Sequence, residues 1–242
     1  MTEGTTSDYL RWMTEGHEYF LSRLKPIRDG ELEGPSRLPG WTGRHLLSHV
    51  GHNARALARL AHWAATGEPT PMYPSPSARA EEIETGAAWP TGRLREFVVE
   101  EQDQLTDALG RIAEARWQAP VVTAQGRTVP ASTIPWLRSR EVWVHACDLP
   151  SGGDFADFPH AFTDALIADA LERRRTVQSI DLDLDLDLDV VATGRGARAG
   201  EAGGLRVEGP APDVARWLTR GEESPGLRAF GAVPLPELPP WL

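Results

Sequence analysis

The sequence predicts an α+β fold, with a helical bundle over residues 1–176 and a small α/β domain over residues 177–242. Three observations carry that expectation. Apolar residues recur at the 3.6-residue period in successive stretches from Thr5 to Arg174. From Ile180 to Val190 the pattern becomes a strict alternation, I-D-L-D-L-D-L-D-L-D-V, which suits a half-buried strand and not a helix. The chain has 242 residues, enough for a bundle core and a second, smaller core.

Each element follows from local chemistry. Between Thr5 and Pro26, Thr6 or Ser7 offers a cap, and Leu10, Met13, Phe20, Leu21 and Leu24 form one stripe that also contains His17. A core histidine bonded to a neighbour is the plainer account of His17. Pro39-Gly40 marks a turn, and Thr42 caps a helix running to about Ala65, with Leu46, Val50, Ala54, Leu57 and Ala61 inward. Gly67 to Ser77 reads as a proline-rich loop. Helical stretches follow over Ala78–Ala88 and Thr91–Ala113, separated at Pro90, and Arg79, Glu81 and Glu82 in the first of them suit a solvated face. Two β-prone runs around Gln125-Gly126 suggest a small hairpin within Trp117–Pro130. A helix from Ile134 to Asp148 comes next, with Pro135 tolerated in its first turn, and then one from Pro159 to Arg174. After the aspartate-rich strand come a glycine-rich turn over Gly194–Gly204, a strand at Leu205–Val207, a short helix over Pro210–Thr219 and a proline-rich tail. The aspartates fan out along one sheet face and do not converge around a turn, so they read as a solvated edge and not a calcium loop.

Composition narrows the function. A net charge of -10 opposes a nucleic-acid or anionic-membrane partner, which needs a basic face. The N-terminus lacks a signal-peptide pattern and no stretch has the apolar length of a membrane span, so the expectation is a cytoplasmic protein acting on small molecules. Cys147 is the sole cysteine, which rules out an internal disulfide and a cysteine-based zinc cage.

The informative helix is I-P-W-L-R-S-R-E-V-W-V-H-A-C-D, Ile134 to Asp148. On the helical wheel Glu141, His145 and Asp148 fall inside the apolar stripe of Ile134, Leu137 and Val144, so three polar groups point at a core. A buried carboxylate is costly unless compensated, and Glu141 with His145 at i and i+4 forms a fork that a divalent metal could occupy. In the second long helix His49 lies on the flank of the buried stripe and is the candidate third ligand, with Asn53 one turn later placed to orient a ligand or bind a substrate or cofactor, although a plain polar helix surface accounts for it equally well. His45 and His52 point to the opposite side and suit a solvated face. Cys147 lies roughly 160° round the wheel from His145, away from such a site.

With L-P-G-W-T before a helix, S-H-V-G-H-N inside it, R-A-E-E-I-E-T-G-A, R-E-V-W-V-H-A-C-D-L, and a tail carrying A-R-W-L-T-R-G and L-P-P-W-L, the chain resembles the mycothiol-dependent maleylpyruvate isomerase family over nearly its whole length. The resemblance implies that the bundle is DinB-like, with four helices, that His49, Glu141 and His145 hold Zn²⁺, and that Arg79 and Asp148 are site residues. It also suggests a tail arginine, for which Arg220 is the candidate, although the family's W-L-T-G is displaced here by one residue. The implied activity is cis–trans isomerisation of a maleylpyruvate-like acid by addition, rotation and elimination of mycothiol thiolate, in a monomer. A mycothiol S-transferase, a zinc hydrolase and a zinc-stabilised binding module closed by a fourth ligand such as His17 or His52 remain as alternatives.

Overall fold

The computed structural model describes residues 4–150, 152–181, 189–193 and 206–230 and the separate positions 235, 237, 238 and 241. It divides into two compact units, one of Gly4–Gly153 and one whose described residues begin at Asp154.

The first unit is built on four long helices, α1 (Thr6–Leu24), α3 (Gly43–Thr66), α5 (Thr91–Gly110) and α6 (Ile134–Asp148), with the short α2 (Asp29–Leu32) and α4 (Ala78–Ala87) between them. Their starts have visible causes. Thr5 caps α1 in a reciprocal box: its Oγ1 accepts from Asp8 N at 3.2 Å while Asp8 Oδ2 accepts from Thr5 N at 3.0 Å. Thr42 does the same for α3 with His45, whose Nδ1 lies 2.7 Å from Thr42 Oγ1. His45 is therefore a half-buried capping residue and not simply a solvated one. Gly67 ends α3 at φ 84°, in the left-handed region that glycine enters without a Cβ penalty. Pro90 separates α4 from α5 as expected, and the predicted hairpin forms as β1 (Pro120–Val122) antiparallel to β2 (Thr128–Pro130), turning at Gly126.

Helix α1 packs along α6, and α3 packs along α5, α4 and α6. Glycines permit close approaches, two of them between the long helices. A Cβ on Gly16 would stand 2.6 Å from the Trp143 indole, and one on Gly51 would stand 2.4 Å from the Phe97 ring. The core these helices share is aliphatic and aromatic: Phe20, Leu46, Leu47, Leu57, Leu60, Leu94, Phe97 and Leu105 are all buried. Each such side chain contributes roughly 1.5–3 kcal/mol by leaving water, so the bundle has ample stabilisation to carry a few buried polar groups. It carries an unusual number on α6, where Arg138, Ser139, Arg140, Glu141, His145 and Asp148 are all buried.

The second unit contains α7 (His160–Asp181), α8 (Ala211–Arg220) and a three-stranded sheet in the order β3 (Asp189–Thr193), β4 (Arg206–Pro210), β5 (Arg228–Phe230). β3 pairs parallel to β4, and β4 pairs antiparallel to β5. Helix α7 groups with this unit because it packs on α8, and Arg174 Nε donates to Leu218 O at 3.0 Å. The helix also runs further than its stripe suggested: Ile180 and Asp181, read from sequence as the start of the alternating strand, are its last turn. Residues 182–188 of that alternation, the glycine-rich turn at 194–204 and most of the proline-rich tail lie outside the described residues. α8 buries Val214, Trp217 and Leu218, as predicted, and stops at Gly221 with φ 69°. None of the described helices is long and apolar enough to cross a membrane.

Candidate metal centre

Helices α3 and α6 bring His49, Glu141 and His145 together, and all three are buried. His49 Nε2 lies 3.0 Å from Glu141 Oε2 and 3.1 Å from His145 Nε2, and His145 Nε2 lies 3.2 Å from Glu141 Oε2. The three atoms form a nearly equilateral triangle. A tetrahedral ion with bonds of about 2.0–2.1 Å spaces its ligand atoms about 3.3 Å apart, close to what is found here.

Hydrogen bonding explains less of this triangle than a cation does. His145 Nδ1 lies 2.7 Å from Asp148 Oδ2, a contact that places the ring proton on Nδ1 and leaves Nε2 as a lone pair facing the triangle's centre. His49 Nε2 is then asked to donate to a carboxylate and to a second nitrogen at once, while its own Nδ1 is buried without a hydrogen-bond partner. One proton cannot satisfy three mutual contacts, whereas a divalent cation accepts a lone pair from each. The residues therefore fit a metal. No other group of His, Cys, Asp or Glu among the described residues converges in this way, and no fourth such side chain joins the triangle.

The electrostatics agree. Burial pushes the Glu141 carboxyl up, yet the imidazoles of His145 and His49 pull it well below the usual carboxylate range. Burial pushes the His49 imidazole down to about 4 against the pull of Glu141, so it is neutral at neutral pH. For His145, burial acts downward, but the bonds to Asp148 and Glu141 reverse it and raise the group. The site is a carboxylate beside a neutral imidazole at His49 and a more basic one at His145, whose proton a metal would displace.

The remaining sequence-predicted residues fall into different places. Asp148 acts on His145, and its backbone oxygen accepts from Arg37 N at 3.0 Å, tying the end of α6 to the loop before α3. Asn53 is buried one turn after His49, where its Oδ1 accepts from Arg138 Nη1 at 3.0 Å. Arg79 is exposed, at the start of α4, where its charge acts on both Tyr73 and His49. Arg220 sits in the last turn of α8, in the second unit, where its Nη1 donates to Thr219 O at 3.3 Å. His52 departs from the expectation of a solvated face. It is buried, with Nδ1 2.8 Å from Ser48 O and its ring against Phe97 and Trp89, because α4 and α5 cover the side of α3 that a single-helix wheel assigns to solvent. His17 is half-buried beside Arg138, and its burial pushes the imidazole down to about 3.

Two residues near the triangle carry no signal in a wheel. Trp41 packs its ring 5.4 Å from that of His49, and it also lines a cavity of about 400 Å³ formed by residues 33 and 35–42. Burial pushes the Tyr73 hydroxyl up to about 12, with the charges of Arg79 and Glu141 also acting on it, so it is a neutral donor. Both sit in loops. The only hint in the sequence is an aromatic residue inside an otherwise proline-rich polar segment.

The chain matches the family model described as the mycothiol maleylpyruvate isomerase N-terminal domain over residues 13–150, the span that contains all three triangle residues. Among solved structures it is similar to the crystal structure of the mycothiol-dependent maleylpyruvate isomerase, with 35% identity, 98% of this chain and 97% of that chain covered, and a TM-score of 0.86. A histidine-to-alanine mutant of that isomerase matches with the same identity and coverage at a TM-score of 0.85. No curated protein matches the chain. A bundle matched by its family model and a likeness that runs the length of both chains lead to one conclusion: this chain belongs to the mycothiol-dependent maleylpyruvate isomerase family.

Proposed function

We propose that the protein is a zinc-dependent isomerase that uses mycothiol to convert a maleylpyruvate-like cis-enedioyl acid to its trans isomer. The observation that supports this most directly is the buried triangle of His49, Glu141 and His145, a two-imidazole, one-carboxylate set with no fourth His, Cys, Asp or Glu among the described residues. Such a donor set suits zinc and leaves a position for an exogenous ligand. When bound there, zinc supplies ionisation of a thiol at neutral pH, where a free thiol near pKa 8.5 is only a few per cent thiolate.

The chain's own residues do the rest. Asp148 holds the His145 ring in the Nδ1–H tautomer. A thiol ionised there would supply a nucleophile for reversible addition to the substrate's double bond, putting enolate charge on the adjacent carbonyl and freeing the bond to rotate before the thiol is recovered unconsumed. Arg79, with Tyr73 as a neutral O–H donor beside it, offers charge and hydrogen bonds to the substrate carboxylate and the enolate oxygen. Asn53, the candidate for cofactor binding, accepts one bond from Arg138 at its Oδ1. We infer a cytoplasmic monomer acting on small molecules; the net charge of -10 supports the absence of a nucleic-acid partner.

Turnover of maleylpyruvate with no thiol, with mycothiol and with glutathione tests the reading. Activity is expected with mycothiol, and it should be lost in His49→Ala together with bound zinc. Equal rates in all three conditions would remove thiol-dependent isomerisation, and mycothiol consumed in proportion to product would show a transferase instead.

A further inference from the structure

One charged side chain in the bundle has no place in the scheme above. Arg138 is fully buried on α6, one turn before Glu141. Its Nη1 donates to Val50 O at 2.8 Å and to Asn53 Oδ1 at 3.0 Å, both on α3, and its Nε donates to Gln102 Oε1 at 2.9 Å on α5. Nη2 is buried with no hydrogen-bond partner. Burial pushes even this guanidinium down to about 10, and Glu141 is the charge that opposes the shift. A buried cation with one unsatisfied donor costs several kcal/mol before its bonds are counted, and an aliphatic side chain would pack the same volume without that penalty. Stability alone is therefore a poor reason for an arginine here.

Its placement offers a better one. The ligand triangle spans two helices: His49 comes from α3, and Glu141 and His145 come from α6. Arg138 crosses the same gap and bonds the α3 backbone at Val50, the residue next to His49, and the side chain of Asn53, one turn from His49. We propose that Arg138 is a positioning residue for the metal centre: its guanidinium fixes the spacing of α3 and α6 so that His49 meets Glu141 and His145 at bonding separation. Three directed bonds from one planar group fix both distance and rotation, which a lysine's single point charge cannot do. The inference rests on the metal reading given above, and it assigns Arg138 no contact with substrate or thiol.

The test measures zinc affinity of the full chain by competition with a chromophoric chelator, together with the visible absorption of the cobalt-substituted protein, which reports ligand geometry. Wild type is measured first. Absence of saturable zinc binding there overturns the metal reading and this inference with it. With zinc bound by wild type, Arg138→Lys is expected to weaken zinc binding about 10–100-fold, the range seen when a group supporting a metal ligand is lost, and to shift the cobalt bands. Asn53→Ala, which leaves Arg138 two of its acceptors, should weaken zinc binding by a smaller factor and move the bands in the same direction. Leu105→Ala, a buried change in the same core, should lower the melting temperature while zinc affinity and cobalt bands stay as in wild type. Wild-type affinity and spectrum in a folded Arg138→Lys, or equal losses in Leu105→Ala, would overturn the proposal. Should Arg138→Lys not fold, Asn53→Ala decides alone, and unchanged affinity and bands in it overturn the proposal.

Discussion

Removing the Asp148 carboxylate should weaken metal binding without touching a ligand, and its size follows from the geometry. The Nδ1–Oδ2 separation of 2.7 Å is that of a charge-assisted bond, and both partners are buried, so water neither screens nor replaces it. Such bonds contribute about 1.5–3 kcal/mol. Part of that is felt at Nε2, because the carboxylate fixes the ring's tautomer and orientation and raises its basicity. Loss of about 10–100-fold in zinc affinity, or about 1.4–2.8 kcal/mol, is expected for Asp148→Ala. Asp148→Asn keeps a neutral acceptor and should lose less.

The pH dependence has a definite sign. Burial lowers the His145 group, but Asp148 and then Glu141 raise it overall, so in the wild type protons compete with metal at Nε2 more strongly than in the variant. That competition fades as pH rises. The wild-type advantage should therefore be smallest at mildly acidic pH and grow to its full size above neutrality. Chelator competition across that range measures it, with circular dichroism to confirm folding. A folded Asp148→Ala with wild-type affinity at high pH, or an advantage that shrinks as pH rises, would refute the reasoning.

Two further outcomes follow from the packing. Cys147→Ser should retain mycothiol-supplemented activity, because the Cys147 sulfur lies 3.9 Å from Trp143 O and outside the ligand triangle; steady-state rates with the thiol present check this, and loss of activity in the folded variant would contradict it. Gly51→Ala should be destabilising by about 1–3 kcal/mol despite alanine's higher helix propensity, since its methyl would stand 2.4 Å from the buried Phe97 ring. A thermal melt reads the change as a fall of about 2–4 °C per kcal/mol, and an unchanged or raised midpoint would show that α3 and α5 part easily.

How much of this was legible in the chain depends on where each cause lies. The helices of the bundle are written locally: stripes such as Leu94, Phe97, Leu105 and Leu109, the Thr42 cap, and the stops at Gly67 and Pro90 all act within a few residues. The three residues of the candidate metal centre were visible for a related reason. Glu141 and His145 share one helix, so a wheel shows both inside an apolar stripe, and a buried carboxylate demands compensation wherever it lies. His49 was selected by its flank position on a second helix, and the family motifs pointed the same way.

Other features required the neighbours. His52 looked solvated because a wheel cannot know that α4 and α5 cover the other side of α3. Trp41 packs on His49 from a loop, and Tyr73 feels the charge of Glu141 from another, and no periodicity encodes the direction of a loop. Arg138 shows only as one charge among several on α6, and its three acceptors come from residues 36 to 88 positions away in the chain. Local sequence determined which segments fold as helices and which faces they bury, because backbone hydrogen bonding and apolar period are short-range. The tertiary structure decided that the side-chain atoms of His49, Glu141 and His145 meet within 3.2 Å, because that depends on the distance between two helices.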